Sequence, residues 1–372
     1  MSNFGYDTYY TVDDKIFYSK IAAIHETKGD IGRINFHWME NTWDNVDWTI
    51  EPKQSWQELL RIRCQQIRDK YKWVALWYSS GYDSHTILRS FVDNKIPIDE
   101  LLIYDRRDWF DDPEIPFAIA HANHIKNTYY PNLKINVVRT SFKSLQEFYK
   151  SKGEDWIFGP YYSMKISKTQ RHFATTEVTD FLSSFGNTIQ HRGNVMGIDK
   201  PKMILRDNKW YNFCPDSVGE TSVGQTQENF YWSSDLPELH IKQCYMVINW
   251  FETLQNLDEE LVHEIQGKER EKSRLHDSYY EDWNLGMGRF PLFHSHSVSV
   301  NGKMKIFHTN SEKSLDSINC LNYIKNNDNK AYKIYTQGLQ NARLYNTVGN
   351  DLASKTLISK QYYIRDRKVQ AL

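Results

Sequence analysis

Cysteine is scarce in this chain. Cys64, Cys214, Cys244 and Cys320 are spread through 372 residues, and none belongs to a Cys-x-x-Cys pair. That spacing excludes a disulfide framework and a four-cysteine zinc site, and makes all four small buried hydrophobes. Long apolar runs are missing too. Nothing approaches the roughly 20 residues that span a bilayer, so no membrane association is expected. Met1 to Asp7 lacks a basic and apolar secretory pattern, which with the free thiols gives a cytoplasmic expectation. An excess of either charge is absent: 46 Lys and Arg stand against 47 Asp and Glu. This excludes a globally basic nucleic-acid binder and leaves only a local patch for such a partner. No internal repeat or low-complexity segment is present.

What the chain does have is hydrophobic content of 40%, enough for a sizeable core. Its length suits two domains or one with large additions. Its 24 Tyr and 12 Trp could line a nucleotide or base pocket, but such rings mostly pack and carry their polar ends to the surface. The Asn, Lys, Ile and Tyr content suits an AT-rich genome, a phage among them. Ser55-Trp56-Gln57-Glu58 is a capping-box pattern that opens a helix to about Tyr71. From Trp73 the chain then reads as an apolar strand. It runs into Ser79-Ser80-Gly81-Tyr82-Asp83-Ser84, and Ile87, Leu88, Phe91 and Val92 continue on one helical face. Asp83 or Ser84 is placed to cap that helix. A strand, a small-residue turn and a helix N-terminus make an anion site, since N–H groups converge there and the helix dipole favours negative charge.

A second strand, Leu101–Tyr104, a helix around Ile115–Ile125 and a third strand, Lys134–Val138, complete a β-α-β-α-β order. Residues 79–84 resemble the Ser-Gly-Gly-x-Asp-Ser signature of the PP-loop, or N-type ATP pyrophosphatase, superfamily, which includes asparagine synthetase and the sulfonucleotide (PAPS) reductases. Ser80 departs from it, standing where the family has its first Gly. It serves as an N–H donor only if that position does not require φ > 0. No Gly-Lys-Ser/Thr follows, so this is not a Walker loop.

The resemblance implies an α/β fold with a parallel-sheet, adenine nucleotide alpha hydrolase-like domain over residues 72–256. An α+β extension would precede it over 1–71, and a helical and hairpin region would follow over 257–372. It implies ATP and Mg²⁺, with Ser79, Ser80, Gly81, Tyr82, Asp83 and Ser84 around the phosphates. Asp83 would also hold the metal, and Tyr104 and Asp105 would lie beside the adenine. The family transfers AMP to an acceptor oxygen and releases pyrophosphate. Lys200 and Lys202, with Arg192, are the cations that would stabilise that leaving group. Lys200 and Lys202 follow a strand, Thr188–Gly197, where open α/β sheets bind ligands.

Absences narrow the branch. No cysteine precedes Cys64, so an N-terminal glutaminase nucleophile is missing. Cys320, flanked by Asn319 and Leu321, does not match the reductase cysteine. What remains is an unassigned branch or an AMP-forming ligase acting on a small-molecule or nucleobase acceptor, with a nitrogen nucleophile from outside. The competing readings are a non-catalytic adenine-nucleotide binder and a reductase-like protein. Other candidates weaken on spacing. A two-residue turn at Asn301-Gly302 would point His308 away from His294 and His296, so no zinc is expected. Gly286-Met287-Gly288 lacks a strand-then-helix context. Glu238 and Lys242 read as a helix salt bridge, and His240 as a satisfied core histidine. Met203–Phe213 reads as a hairpin turning at Asp207-Asn208, Pro237–Phe251 and Leu257–Arg274 as helices.

Overall fold

The computed structural model describes residues 8–105, 114–139, 142–156, 192–197, 201–216, 227–266, 323–341 and 356–368. The expectations that fall at Lys200, Gly286–Gly288, the Asn301-Gly302 turn with its histidines, and Cys320 lie outside these residues.

Three strands come first: β1 (Thr8–Val12), β2 (Lys15–Phe17) and β3 (Asn35–Trp38), antiparallel in the order β2-β1-β3. Asp13 and Asp14, at φ 45° and 67°, make the β1–β2 turn, the left-handed pair that a two-residue hairpin needs. Helix α1 (Lys20–Glu26) lies between β2 and β3, and the short α2 (Glu40–Trp43) follows β3. Next is α3 (Trp56–Lys70). Its cap is the expected one, with Ser55 Oγ accepting the Glu58 amide at 3.2 Å.

The centre of the molecule is a parallel sheet. In it β4 (Trp73–Trp77), α4 (Tyr82–Asp93), β5 (Glu100–Asp105), α5 (Glu114–Thr128) and β6 (Lys134–Arg139) alternate. The helix α6 (Phe142–Lys152) follows, and then β7 (Arg192–Met196). Two further strands, β8 (Lys202–Arg206) and β9 (Lys209–Phe213), form a hairpin turned by Asp207 and Asn208 at φ 51° and 57°. With β10 (Gln227–Asn229) the sheet has five parallel strands in the order β10-β7-β4-β5-β6. Strands β4, β5 and β7 are buried nearly throughout, as a sheet covered on both faces requires. Side-chain alternation divides the layers. Val74, Leu76, Leu101 and Ile103 join α3, α4 and α5 in the main core, whereas Ala75, Leu102 and Val138 form a second cluster with Trp73, Trp77 and Tyr104. This is a mixed α/β fold around a central parallel sheet flanked by helices, in a generic Rossmann-like arrangement.

The chain continues through α7 (Pro237–Phe251), with Pro at the start where its missing N–H costs nothing, then α8 (Glu259–Gln266) and α9 (Asn329–Asn341). Its last strand, β11 (Tyr362–Asp366), completes a separate antiparallel sheet, β11-β9-β8. Buried charge ties α3 to the far edge of the parallel sheet. Arg63, fully buried, pairs with Glu228 of β10 and donates to the Asn229 and Phe230 carbonyls at 2.9 and 3.2 Å. Lys70 and the Tyr71 hydroxyl reach the same carboxylate at 3.0 and 2.5 Å. Burial pushes the Glu228 carboxyl upward, but Arg63, Lys70 and Tyr71 outweigh it and the net shift is downward. Among the described residues no helix is long and apolar enough to cross a membrane.

Candidate functional site

The strand order reverses direction at β4. From β4 the chain steps outward to β5 and β6, then returns to place β7 on the other side. The crevice at the carboxyl ends of β4 and β7 is therefore the switch point, where open α/β sheets bind ligands. The turn that leaves β4 there is Tyr78–Gly81.

Gly81, not Asp83 or Ser84, is the N-cap of α4, and no side chain caps its first turn. The first N–H groups of a helix have no partner within it, so this end presents donors and the positive end of the dipole. Two serine hydroxyls hold the turn in shape. Ser84 Oγ accepts the Ser79 amide and donates to the Gly81 carbonyl, both at 3.2 Å. Ser79 Oγ accepts the Gly81 amide at 3.3 Å. Ser80 sits between them at φ 58°. The position where the sequence departs from the PP-loop signature is thus a left-handed one, which glycine adopts freely and serine does not.

Neighbours grip the helix start. The Tyr231 hydroxyl, just beyond β10, donates to the Asp83 carbonyl at 2.9 Å, and its phenol is held well above the ordinary range by burial and by the Asp83 charge. Gly197, just after β7, presses on the same turn. A Cβ there would lie 2.9 Å from Ile87 Cδ1, 3.1 Å from the Ser84 amide nitrogen and 3.2 Å from the Asp83 carbonyl carbon. Beneath the turn, Tyr78 hydrogen-bonds His121 of α5 and lies 3.4 Å from His85 Nδ1, with the two imidazole centroids 4.9 Å apart. All three side chains are buried, and burial raises the Tyr78 phenol. Sequence reasoning missed this cluster. His85, one residue past the signature, was its only local signal.

The other candidate residues separate. Tyr104 and Asp105 end β5 at the same carboxyl edge as the turn, and Asp105 is buried at 2% exposure rather than facing water. Asp83 lies in the first turn of α4, half-buried. Tyr82 opens that helix. Lys202 opens β8, in the separate antiparallel sheet. Arg192 is level with Trp73, the first residue of β4, and so stands at the amino edge, away from the turn. Its guanidinium pairs with buried Glu100 at 2.7 Å and bonds Asn194 at 2.8 Å. Lys242 reaches Glu51 at 2.7 Å and the Pro52 carbonyl at 3.1 Å instead of pairing with Glu238. His240 is wholly buried, 3.2 Å from Asn212 Oδ1, with Trp232, Trp43, Trp48 and Trp38 around it.

Cys64, Cys214 and Cys244 are buried, and burial pushes the Cys64 and Cys244 thiols well up. Among the described residues no group of three or more His, Cys, Asp and Glu side chains is placed to hold a metal. A magnesium ion fits such a site only with one or two carboxylates and phosphate oxygens, its usual mode of binding. Asp83 is the carboxylate at hand. No family model matches this chain, and no curated protein matches it.

Proposed function

We propose that the turn after β4 binds the phosphates of ATP, and that the protein is an AMP-forming ligase or amidating enzyme of the PP-loop kind. One observation carries the reading: an α-helix of twelve residues begins at the switch point with no side-chain cap, behind a turn held in shape by its own serines. Such a helix start favours a phosphate guest through N–H donors and dipole together. In this reading Ser79 and Ser84 fix the turn, while the amides of Ser80, Tyr82 and Asp83 face the guest. The Asp83 carboxylate would hold Mg²⁺ against phosphate oxygens, and Tyr104 and Asp105 would border the adenine.

The chemistry is transfer of an adenylyl group. An acceptor oxygen attacks the α-phosphorus, the bridging bond to the β-phosphate breaks, and pyrophosphate leaves with the electron pair. A nitrogen nucleophile then displaces AMP from the activated acceptor. Oriented amides at the helix start stabilise the charge that builds on the departing pyrophosphate. Lys200 and Lys202 are the proposed cations for the same task.

A second reading is favoured by Arg192, which is committed to Glu100 at the opposite edge. In that reading the turn binds an adenine nucleotide without turning it over. A reductase-like role gains nothing from Cys64 or Cys244, because a thiol raised by burial is a poor nucleophile.

Calorimetric titration of MgATP into the wild type and into Asp83→Ala tests the shared premise. Micromolar binding that the variant loses supports the site. Pyrophosphate release with candidate carboxylate or nucleobase acceptors then separates ligase from binder. A wild type that binds neither ATP nor AMP ends both readings.

A further inference from the structure

Three serines line the turn, and their hydroxyls differ. Those of Ser79 and Ser84 are engaged within it. Ser80 is 7% exposed, and its Oγ is closed off from solvent with no hydrogen-bond partner among the described residues. The same residue holds the left-handed backbone at φ 58°. Each feature opposes folding. A left-handed L-residue is strained, and a buried hydroxyl without a partner forfeits its bonds to water. Glycine at position 80 would remove both penalties at once. A residue that carries two avoidable penalties in the turn at the carboxyl end of β4 points to stored strain with a functional counterpart.

We infer that the Ser80 hydroxyl is itself a ligand group, one that donates its proton to a phosphoryl oxygen of the bound guest and makes the turn select polyphosphate over other anions. The inference rests on the phosphate reading of the turn and goes beyond it, since the PP-loop signature has no side chain at this position. The helix start supplies amides and dipole, which any anion can use. A hydroxyl adds a directed donor, which rewards a tetrahedral oxyanion of the right reach. Its partner arrives with the ligand.

The two roles of Ser80 move in opposite directions on substitution, and this makes the test decisive. Ser80→Gly and Ser80→Ala are compared with the wild type by urea unfolding and by calorimetry with MgATP and with inorganic pyrophosphate. Ser80→Gly is expected to raise the folding equilibrium constant about tenfold by releasing strain and removing the buried hydroxyl. It should weaken binding of both probes about tenfold or more, the worth of a hydrogen bond to a charged group. Ser80→Ala keeps the left-handed Cβ and deletes only the hydroxyl, so its loss of binding should match that of Ser80→Gly. Weaker MgATP binding with unchanged pyrophosphate binding places the contact on the α-phosphate and still supports the role. Undiminished binding of both probes by Ser80→Ala overturns the inference and leaves the phosphate reading standing. A wild type that binds neither probe removes both together.

Discussion

The two edges of the parallel sheet are built on opposite principles. At the amino edge the buried carboxylate is matched. Glu100, fully buried, accepts from Trp73 Nε1 at 2.8 Å, from Arg192 at 2.7 Å and from Asn136 Nδ2, and Lys134 lies 4.6 Å above the Trp73 ring. At the carboxyl edge a helix starts without a side-chain cap, a serine holds a glycine conformation, and its hydroxyl is buried without a partner. One edge pairs its buried carboxylate from within and serves stability. The other leaves donors unmatched, as expected where a guest completes the structure.

The largest expected effect tests the amino edge. Arg192→Met leaves the Glu100 carboxylate buried without its charged partner, which should cost about 3–5 kcal/mol in urea unfolding. The MgATP affinity of the folded fraction should stay unchanged. A large loss of affinity with little loss of stability would reverse the assignment of the two edges.

Acid offers a control remote from both. Burial holds the His240 imidazole down to about 3, below its value of about 6.5 in an unfolded chain. The unfolded state therefore binds the extra proton first. The contribution of His240 to stability is complete above about pH 6.5 and falls by about 1.4 kcal/mol per unit of pH below it. Replacing His240 by Gln should flatten the pH dependence of unfolding between about pH 6.5 and 5, with no change in affinity at neutral pH.

The smallest effects form the sharpest pair, because both glycines belong to the β7 segment. A Cβ on Gly193 would lie 2.4 Å from Tyr71 Cδ2, in a ring anchored through its hydroxyl to Glu228. Gly193→Ala should destabilise by about 1–3 kcal/mol through overpacking and spare binding. Gly197→Ala presses on the Ser84 and Asp83 backbone. It should cost less than about 1 kcal/mol in stability yet weaken MgATP about tenfold, since small displacements of aligned donors are felt strongly. Equal effects of the two on binding would erase the distinction between the edges.

Local pattern carried much of the fold. The Ser55 cap, the apolar run of β4, the Asp207-Asn208 hairpin and the proline-led α7 were all legible because each is set by neighbours in sequence. The order β10-β7-β4-β5-β6 was not, since periodicity gives a strand its faces and not its partners. The same limit explains Arg192. Its charge suggested a phosphate ligand, but only the pairing with Trp73 reveals which end of the strand it occupies. For the turn, the sequence supplied the residues, and Ser80 already posed the question of its backbone sign. The Tyr78–His85–His121 cluster needed α5 folded back over α4. β11 pairs with β9 across most of the second half of the chain, beyond the reach of any local signal.

The return of the chain to β7 has a consequence in time. β4, β5 and β6 are neighbours in sequence as in space, so their closure is cheap and early. β7 and β10 arrive from far along the chain and must dock against an edge that β4 holds open. The crevice between β4 and β7 thus comes into being only with a non-local step. A chain arrested before that step would own the whole signature turn, with its helix and its serines, and still have one wall of the crevice missing. Burst-phase and late-phase intermediates should then differ less in helix content than in their ability to hold a nucleotide, and ligand added during refolding would act as a reporter of topology rather than of secondary structure.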